Sequence, residues 1–329
     1  MQKKRIHIRE IDDEVVVSFT FQQAFEYFYS AKRSEEKRKT TLGTYNEHYK
    51  FFTKWLKTTN HDISLVSELS VVIVREYINY MREDHYNFKS KENGLATETT
   101  NARIRFLKTW YAFLLKEKLI SDNVLLSINL LKVDEKRLNL LTEKEMQALL
   151  STPDKRYMPQ WRDYCIMFLA YDSALRIKEL ISLDVKDIDF VRRQVILPSS
   201  KAKDRRIRVV PISNHTIKLL IKLIDENNKN FPDAEAVFLN WFGERMASDT
   251  FRRNLSRYVT KAGIEKKFSC HDFRRQSVTE MLKNGASVFA VQRIAGHSQI
   301  TTTRRYVQFD EETIRDQHDL YSPINRLKF

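Results

Sequence analysis

Cysteine is nearly absent. Cys165 and Cys270 are the only two among 329 residues, far apart and without metal-ligand spacing. That argues against a disulfide framework or a zinc site and fits a reducing, cytoplasmic environment. No apolar run is long enough to span a bilayer. The opening Met1-Gln-Lys-Lys-Arg5, followed by alternation, does not read as a signal peptide. No Walker motif and no carboxylate metal cluster occurs, so no nucleotide, metal or other cofactor is expected. Internal repeats, low-complexity tracts and coiled-coil heptads are also missing.

What the chain does have is positive charge and a regular apolar pattern. Hydrophobic residues make up 42%, which is enough for a globular protein. The length allows two ordinary domains, each with its own core. The formal charge is +14. Residues 1–140 hold 24 Lys+Arg against 19 Asp+Glu (+5), and the remainder 57−24 = 33 against 43−19 = 24 (+9). Both parts are basic, as a protein gripping one long polyanion would be. Composition alone equally allows a basic protein with no acidic partner.

Residues 1–18 alternate and read as an N-terminal arm or strand. From 19 to 130 every apolar pattern is helical, giving an expected helical first domain. Phe21, Ala24, Phe25 and Phe28 form an i, i+3, i+4 stripe. Thr40–Trp55 carries Tyr45, Tyr49, Phe52 and Trp55 on one face. Ser70–Met81 predicts a third helix and Thr97–Leu119 a long, basic fourth. The fourth presents Arg103, Arg105, Lys108, Lys116 and Lys118, either as a solvated face or as a DNA-facing surface. Residues 131–140 fall in a charged, aperiodic stretch that reads as a linker.

The second expected domain spans 141–310. Thr142 and Glu145 make a capping box. Arg162–Leu180 contains two helical segments broken near Tyr171-Asp-Ser173. Gln194–Leu197 and Ile207–Ile212 then form a hairpin with a cationic tip over Ser199–Arg205. Helices return from Thr216, with Gly285 and Gly296 as helix stops. Residues 311–329 form a polar, amphipathic tail.

The chemistry-bearing residues cluster late. His271-Asp-Phe-Arg274, Gly296-His297-Ser298 and Thr301-Thr-Thr-Arg-Arg-Tyr306 fall within 36 residues. Arginine presents a planar fork matching two phosphate oxygens. Histidine can donate or shuttle protons near neutrality, and a tyrosine hydroxyl can be a covalent nucleophile. Each motif has an ordinary alternative. His271 and Arg274 fit a surface helix, and Arg176 fits an ion pair with Glu179. Gly296-His297 fits a helix cap, and Tyr306 a core aromatic.

In order, however, Arg176-x-x-Glu179-Leu, the lysine-tipped hairpin, His271-x-x-Arg274, Gly296-His297 and Tyr306 resemble the tyrosine recombinase (phage-integrase, Xer- and Cre-like) family across nearly the whole chain. The resemblance implies a mainly α fold with a small β-hairpin, arranged as a two-domain, C-shaped DNA clamp. It implies that Arg176 and Arg274 hold the scissile phosphate and that Tyr306 attacks it, leaving a 3′-phosphotyrosyl enzyme and a free 5′-hydroxyl. His271 would take the tyrosine proton, and His297 would donate to a phosphate oxygen. A hairpin lysine would protonate the leaving oxygen. Counting forward from Arg176 selects Lys201; counting back from Arg208-Val-Val-Pro211 suits Lys203. Lys201 is the expected acid. Glu179 would orient Arg176, while Arg304 and Arg305 add charge beside the nucleophile.

Two departures stand out: Ser173-Ala174 where the family commonly has Thr-Gly, and Ala295 where it commonly has Leu. The implied partners are double-stranded DNA sites and further copies of the chain, forming a tetramer on DNA. The expected function is integration, excision or transposition of a mobile element. Xer-type dimer resolution, a relaxing or hairpin-forming nuclease, and a catalytically silent architectural protein are the alternatives. The tail either folds back on its own domain or docks on a neighbour.

Overall fold

The computed structural model describes residues 18–59, 61–88, 91–133, 140–297, 299–300, 303, 315 and 318–326. The chain divides into two compact units, Met1–Lys136 and Arg137–Phe329. Among the described residues it is mostly helical, with two small antiparallel sheets. The N-terminal arm and most of the linker lie outside the described residues.

In the first unit, α1 (Phe21–Ser34), α2 (Lys39–Thr58), α3 (Val71–Asn79) and α4 (Thr97–Lys116) form a bundle. Thr20 caps α1 in a reciprocal box with Gln23, which satisfies two orphan donors at once. The stripe Phe21, Ala24, Phe25 and Phe28 is buried as its spacing requires. It packs on Phe52, Trp55, Phe106 and Trp110. After α3 the chain makes a π turn over Tyr80–Asp84 and a short hairpin, β1 (Tyr86–Asn87) with β2 (Glu92–Asn93). Sequence periodicity did not signal that hairpin.

The basic face of α4 is only partly a surface. Arg103 is buried, its guanidinium 3.7 Å over the Phe51 ring and 3.3 Å from His48 Nδ1. Lys108 donates to the carbonyls of Leu125 and Ile128. Arg105, Lys116 and Lys118 remain exposed.

The second unit begins with α5 (Glu143–Ser151), whose Thr142–Glu145 capping box forms as expected. Next come α6 (Met158–Ser173) and α7 (Ile177–Ile181). A three-stranded antiparallel sheet follows, ordered β3 (Ile188–Asp189), β4 (Gln194–Leu197), β5 (Arg208–Pro211). Ile196 pairs with Val209 and Leu197 with Arg208. Because side chains alternate across a strand, Val195, Leu197, Arg208 and Val210 all turn inward. Helices α8 (Asn214–Asn230), α9 (Ser248–Lys261), α10 (Cys270–Lys283) and α11 (Val288–Ala295) follow. Gly285 follows α10, and Gly296, at φ 65°, caps α11 in the left-handed region. The core joins α5, α6, the sheet, α8 and α9 through residues such as Leu149, Ile166, Leu169, Val210, Leu220 and Phe251.

Candidate active site

The α6–α7 break delivers Arg176. Helix α6 ends at Ala174, which is fully buried and left-handed at φ 52°. A residue with a Cβ pays for this conformation and glycine does not, which explains the family's usual glycine there. Arg176 is the N-cap of α7, and Glu179 at the third helical position accepts its backbone N–H. The same carboxylate takes Arg176 Nη1 at 2.9 Å, Arg208 Nη2 at 2.8 Å and the backbone N–H of Lys203 at 3.1 Å. Burial alone would raise the pKa of Glu179. The Arg208 and Arg176 cations outweigh it and hold the carboxylate ionised, below its ordinary value.

The end of α11 is the second hub. Arg274 Nη1 donates to the carbonyls of Ala174 and Ala295, at 2.8 and 2.6 Å. Arg208 Nη1 also reaches Ala295, at 3.3 Å, and Arg176 Nη2 reaches Gly296 O at 3.5 Å. Three guanidiniums thus converge on the last carbonyls of one helix. The negative end of the helix dipole offsets part of their mutual repulsion. A Cβ on Gly296 would lie 1.9 Å from Arg208 Nη1. Glycine is required there twice over, by conformation and by space.

Beside this hub, His297 Nδ1 lies 2.8 Å from the hydroxyl of buried Thr303. Partial desolvation, followed by the Arg274 and Arg176 cations, lowers its pKa to about 4. It is therefore neutral at pH 7 in the free protein. If Thr303 donates to Nδ1, the Nε2 carries the proton and can donate outward; the tautomer is assigned from this hydrogen bond. His271 lies in the first turn of α10, which a Ser269–Asp272 capping box holds. Packing of its ring, then Arg275 and Arg274, lowers its pKa too, although the residue stays largely exposed. A neutral imidazole is the form that can accept a proton.

The structure places the expected residues unevenly. Arg176, Arg274 and His297 come together around residues 295–297, with His271 one helical turn before Arg274. Tyr306, Arg304 and Arg305 lie outside the described residues. Lys201 does not join the group. Its ammonium is clamped by Asp184 at 2.6 Å and Asp187 at 2.5 Å, and Arg245 holds the other oxygen of Asp184. Lys203 is exposed, and its backbone is tied to Glu179. Arg208 was missed in the sequence. Its signal was a charged residue two positions before Val210, on the inward side of an alternating strand.

A profile described as "Phage integrase family" matches residues 139–313, just over half of the chain. The chain belongs to the phage integrase family. Among other members, the tyrosine recombinase XerC of Pelotomaculum thermopropionicum is 28% identical over 250 residues, covering 74% of this chain and 81% of that one. The tyrosine recombinase XerD of Staphylococcus epidermidis is 27% identical over 286 residues, covering 86% and 92%. Two solved structures show the same fold. The Tn1549 transposon integrase in complex with a circular intermediate DNA has a TM-score of 0.70 at 21% identity, covering 92% and 99%. XerH site-specific recombinase bound to difH substrate has a TM-score of 0.66 at 17% identity, covering 92% and 85%. The mainly helical integrase fold and the family expected from the motifs are both met.

Proposed function

We propose that this protein is a site-specific DNA recombinase that cuts and rejoins DNA through a covalent tyrosine intermediate. One observation carries the reading: Arg176 and Arg274, distant in sequence, meet on the carbonyls of residues 295 and 296 beside a neutral His297. Together they form a cationic, preorganised cradle of the kind that stabilises a phosphoryl transition state. The relatives' names, tyrosine recombinase and transposon integrase, agree with it.

In this scheme the Tyr306 hydroxyl attacks the scissile phosphorus. The Tyr306 Oη–P bond forms and the P–O5′ bond breaks. The phenolic proton passes to His271, while Arg176, Arg274 and His297 bind the non-bridging oxygens. A general acid protonates the departing 5′-oxygen. We assign that role to Lys203 in place of Lys201, because two carboxylates already hold the Lys201 ammonium whereas Lys203 is free of any described ion pair and its backbone is anchored beside Arg176. The phosphotyrosyl ester conserves the phosphodiester bond. Attack by a 5′-hydroxyl from a second duplex reverses the step and completes exchange without nucleotide hydrolysis. The guanidiniums supply the charge that a metal would otherwise supply.

The protein would act in the cytoplasm on double-stranded DNA sites, as a tetramer assembled there. Among the described residues no helix is long and apolar enough to cross a membrane. Exposed Leu320, Tyr321 and Ile324 support a tail that docks on a neighbouring protomer. Mobile-element integration or excision is the biological role we favour, on the N-terminal arm and the divergent Ser-Ala-Leu and Ala-Gly-His motifs. The XerC and XerD relatives favour dimer resolution as the second reading.

The test is an SDS-resistant protein–DNA adduct formed in EDTA on a nicked duplex carrying candidate recombination sites. The adduct should form with the wild type and vanish in Tyr306→Phe, while DNA binding persists. Binding without any adduct on authentic sites would leave an architectural protein. An adduct that survives in Tyr306→Phe would remove Tyr306 as nucleophile and turn attention to Tyr321.

A further inference from the structure

The proposed chemistry leaves a buried cation at the site, Arg208, without a task. Arg208 sits on the inward face of β5, its side chain 6% exposed. It bonds Glu179 and the Ala295 carbonyl, and its Nε has no hydrogen-bond partner among the described residues. Burying a guanidinium with an orphaned donor is costly. A hydrophobic residue would fill this strand position more cheaply, as Val195, Leu197 and Val210 do beside it.

Charge balance explains its presence. Glu179 is 3% exposed and touches two guanidiniums, whereas Arg176 is 27% exposed and faces outward from the same carboxylate. With Glu179 alone, Arg176 would form a neutral pair and offer little net charge to an incoming phosphate. The second, fully enclosed guanidinium changes the sum: two cations and one anion leave one positive charge, and solvent reaches only Arg176. The hydrogen bond from Arg208 to the Ala295 carbonyl also ties β5 to the turn that carries His297.

We propose that Arg208 is a positioning residue that neutralises Glu179, so that Arg176 presents its full charge to the scissile phosphate. This rests on the reading that Arg176 binds that phosphate. Arg208 itself never touches the DNA. It acts through Glu179 and through the Ala295 carbonyl.

The experiment uses the full chain with a nicked duplex at saturating protein, scored by single-turnover adduct formation at matched DNA occupancy. Two scissile linkages are compared: the natural phosphodiester and a methylphosphonate, which lacks one negative charge. Arg208→Met should be slower by about 10²-fold on the phosphodiester, the scale of losing one preorganised charge donor. On the methylphosphonate, where less charge needs balancing, the loss should shrink to less than about tenfold by the same reasoning. Arg208→Lys keeps the charge and should stay within about tenfold of wild type on both. Should Arg208→Met fail to fold by circular dichroism, the double variant Arg208→Met/Glu179→Gln carries the test. It buries no unpaired carboxylate and should recover most of the phosphodiester rate. Equal losses on the two linkages, a Lys variant as slow as the Met variant, or a folded double variant no faster than about 10²-fold below wild type would each overturn the proposal. Arg176→Ala serves as the control on the underlying reading. If it cleaves at the wild-type rate, Arg176 does not hold the phosphate. If it is slow while Arg208→Met is normal, only the role of Arg208 falls.

Discussion

Both units of this chain have an apolar core, and they differ in what they bury beside it. The first is an aromatic core. Phe25 stacks on Tyr49 with ring centroids 3.9 Å apart, Phe52 meets Tyr77 edge-on, and Trp110 is fully buried among Phe21, Phe25, Tyr49 and Phe106. Such packing is strong, and volume-conserving exchanges tolerate it well. The second unit buries charge. Arg162 pairs with Asp163, Arg208 with Glu179, and Lys201 with Asp184 and Asp187. Buried ion pairs contribute little net stability, yet breaking one strands its partner. A protein built only for stability would use the first solution twice. In the proposed mechanism the Arg208–Glu179 pair accepts that cost because Arg176 must stand preorganised for an anion that arrives later.

The comparison can be sharpened by substitution, beginning with the largest effect. Lys203→Ala should slow cleavage of a natural linkage by about 10²–10⁴-fold, the usual worth of general-acid catalysis. A 5′-bridging phosphorothiolate, whose sulfur leaves without a proton, should restore that rate. Trp110→Ala comes next. It should destabilise the first unit by about 3–5 kcal/mol, read by chemical denaturation, while cleavage per molecule of bound DNA stays unchanged. Lys201→Met should be the mildest in catalysis, within about tenfold, with no rescue by sulfur, since its ammonium serves a carboxylate clamp. Sulfur rescue of Lys201→Met but not of Lys203→Ala would reverse the assignment of the acid.

The fold was legible where local rules and tertiary packing agree. The Phe21, Ala24, Phe25, Phe28 stripe and the Thr142–Glu145 box each specify a helix without help from the rest of the chain. Hairpin β1–β2 escaped because Glu92 and Asn93 show no apolar alternation. β3 escaped because two residues carry no period. The candidate site was legible in residue identity but not in partnership. Arg103 and Lys108 read as part of a solvated or DNA-facing surface, yet one stacks on Phe51 and the other caps carbonyls. Counting favoured Lys201 over Lys203, because the pair of carboxylates that argues for the reverse is brought in by the turn before β3 and shows in no spacing. Arg208 did break the inward pattern of β5. A charge at a core position is the one sequence signal that could have exposed it.

The central claim is that the guanidiniums gathered at the end of α11 perform the phosphoryl chemistry. Arg274→Ala tests it most directly, by single-turnover cleavage of a nicked duplex at DNA occupancy equal to wild type. The account predicts adduct formation slower by about 10²–10³-fold with DNA binding retained. A rate within about twofold of wild type, far below the worth of one such donor, would contradict it.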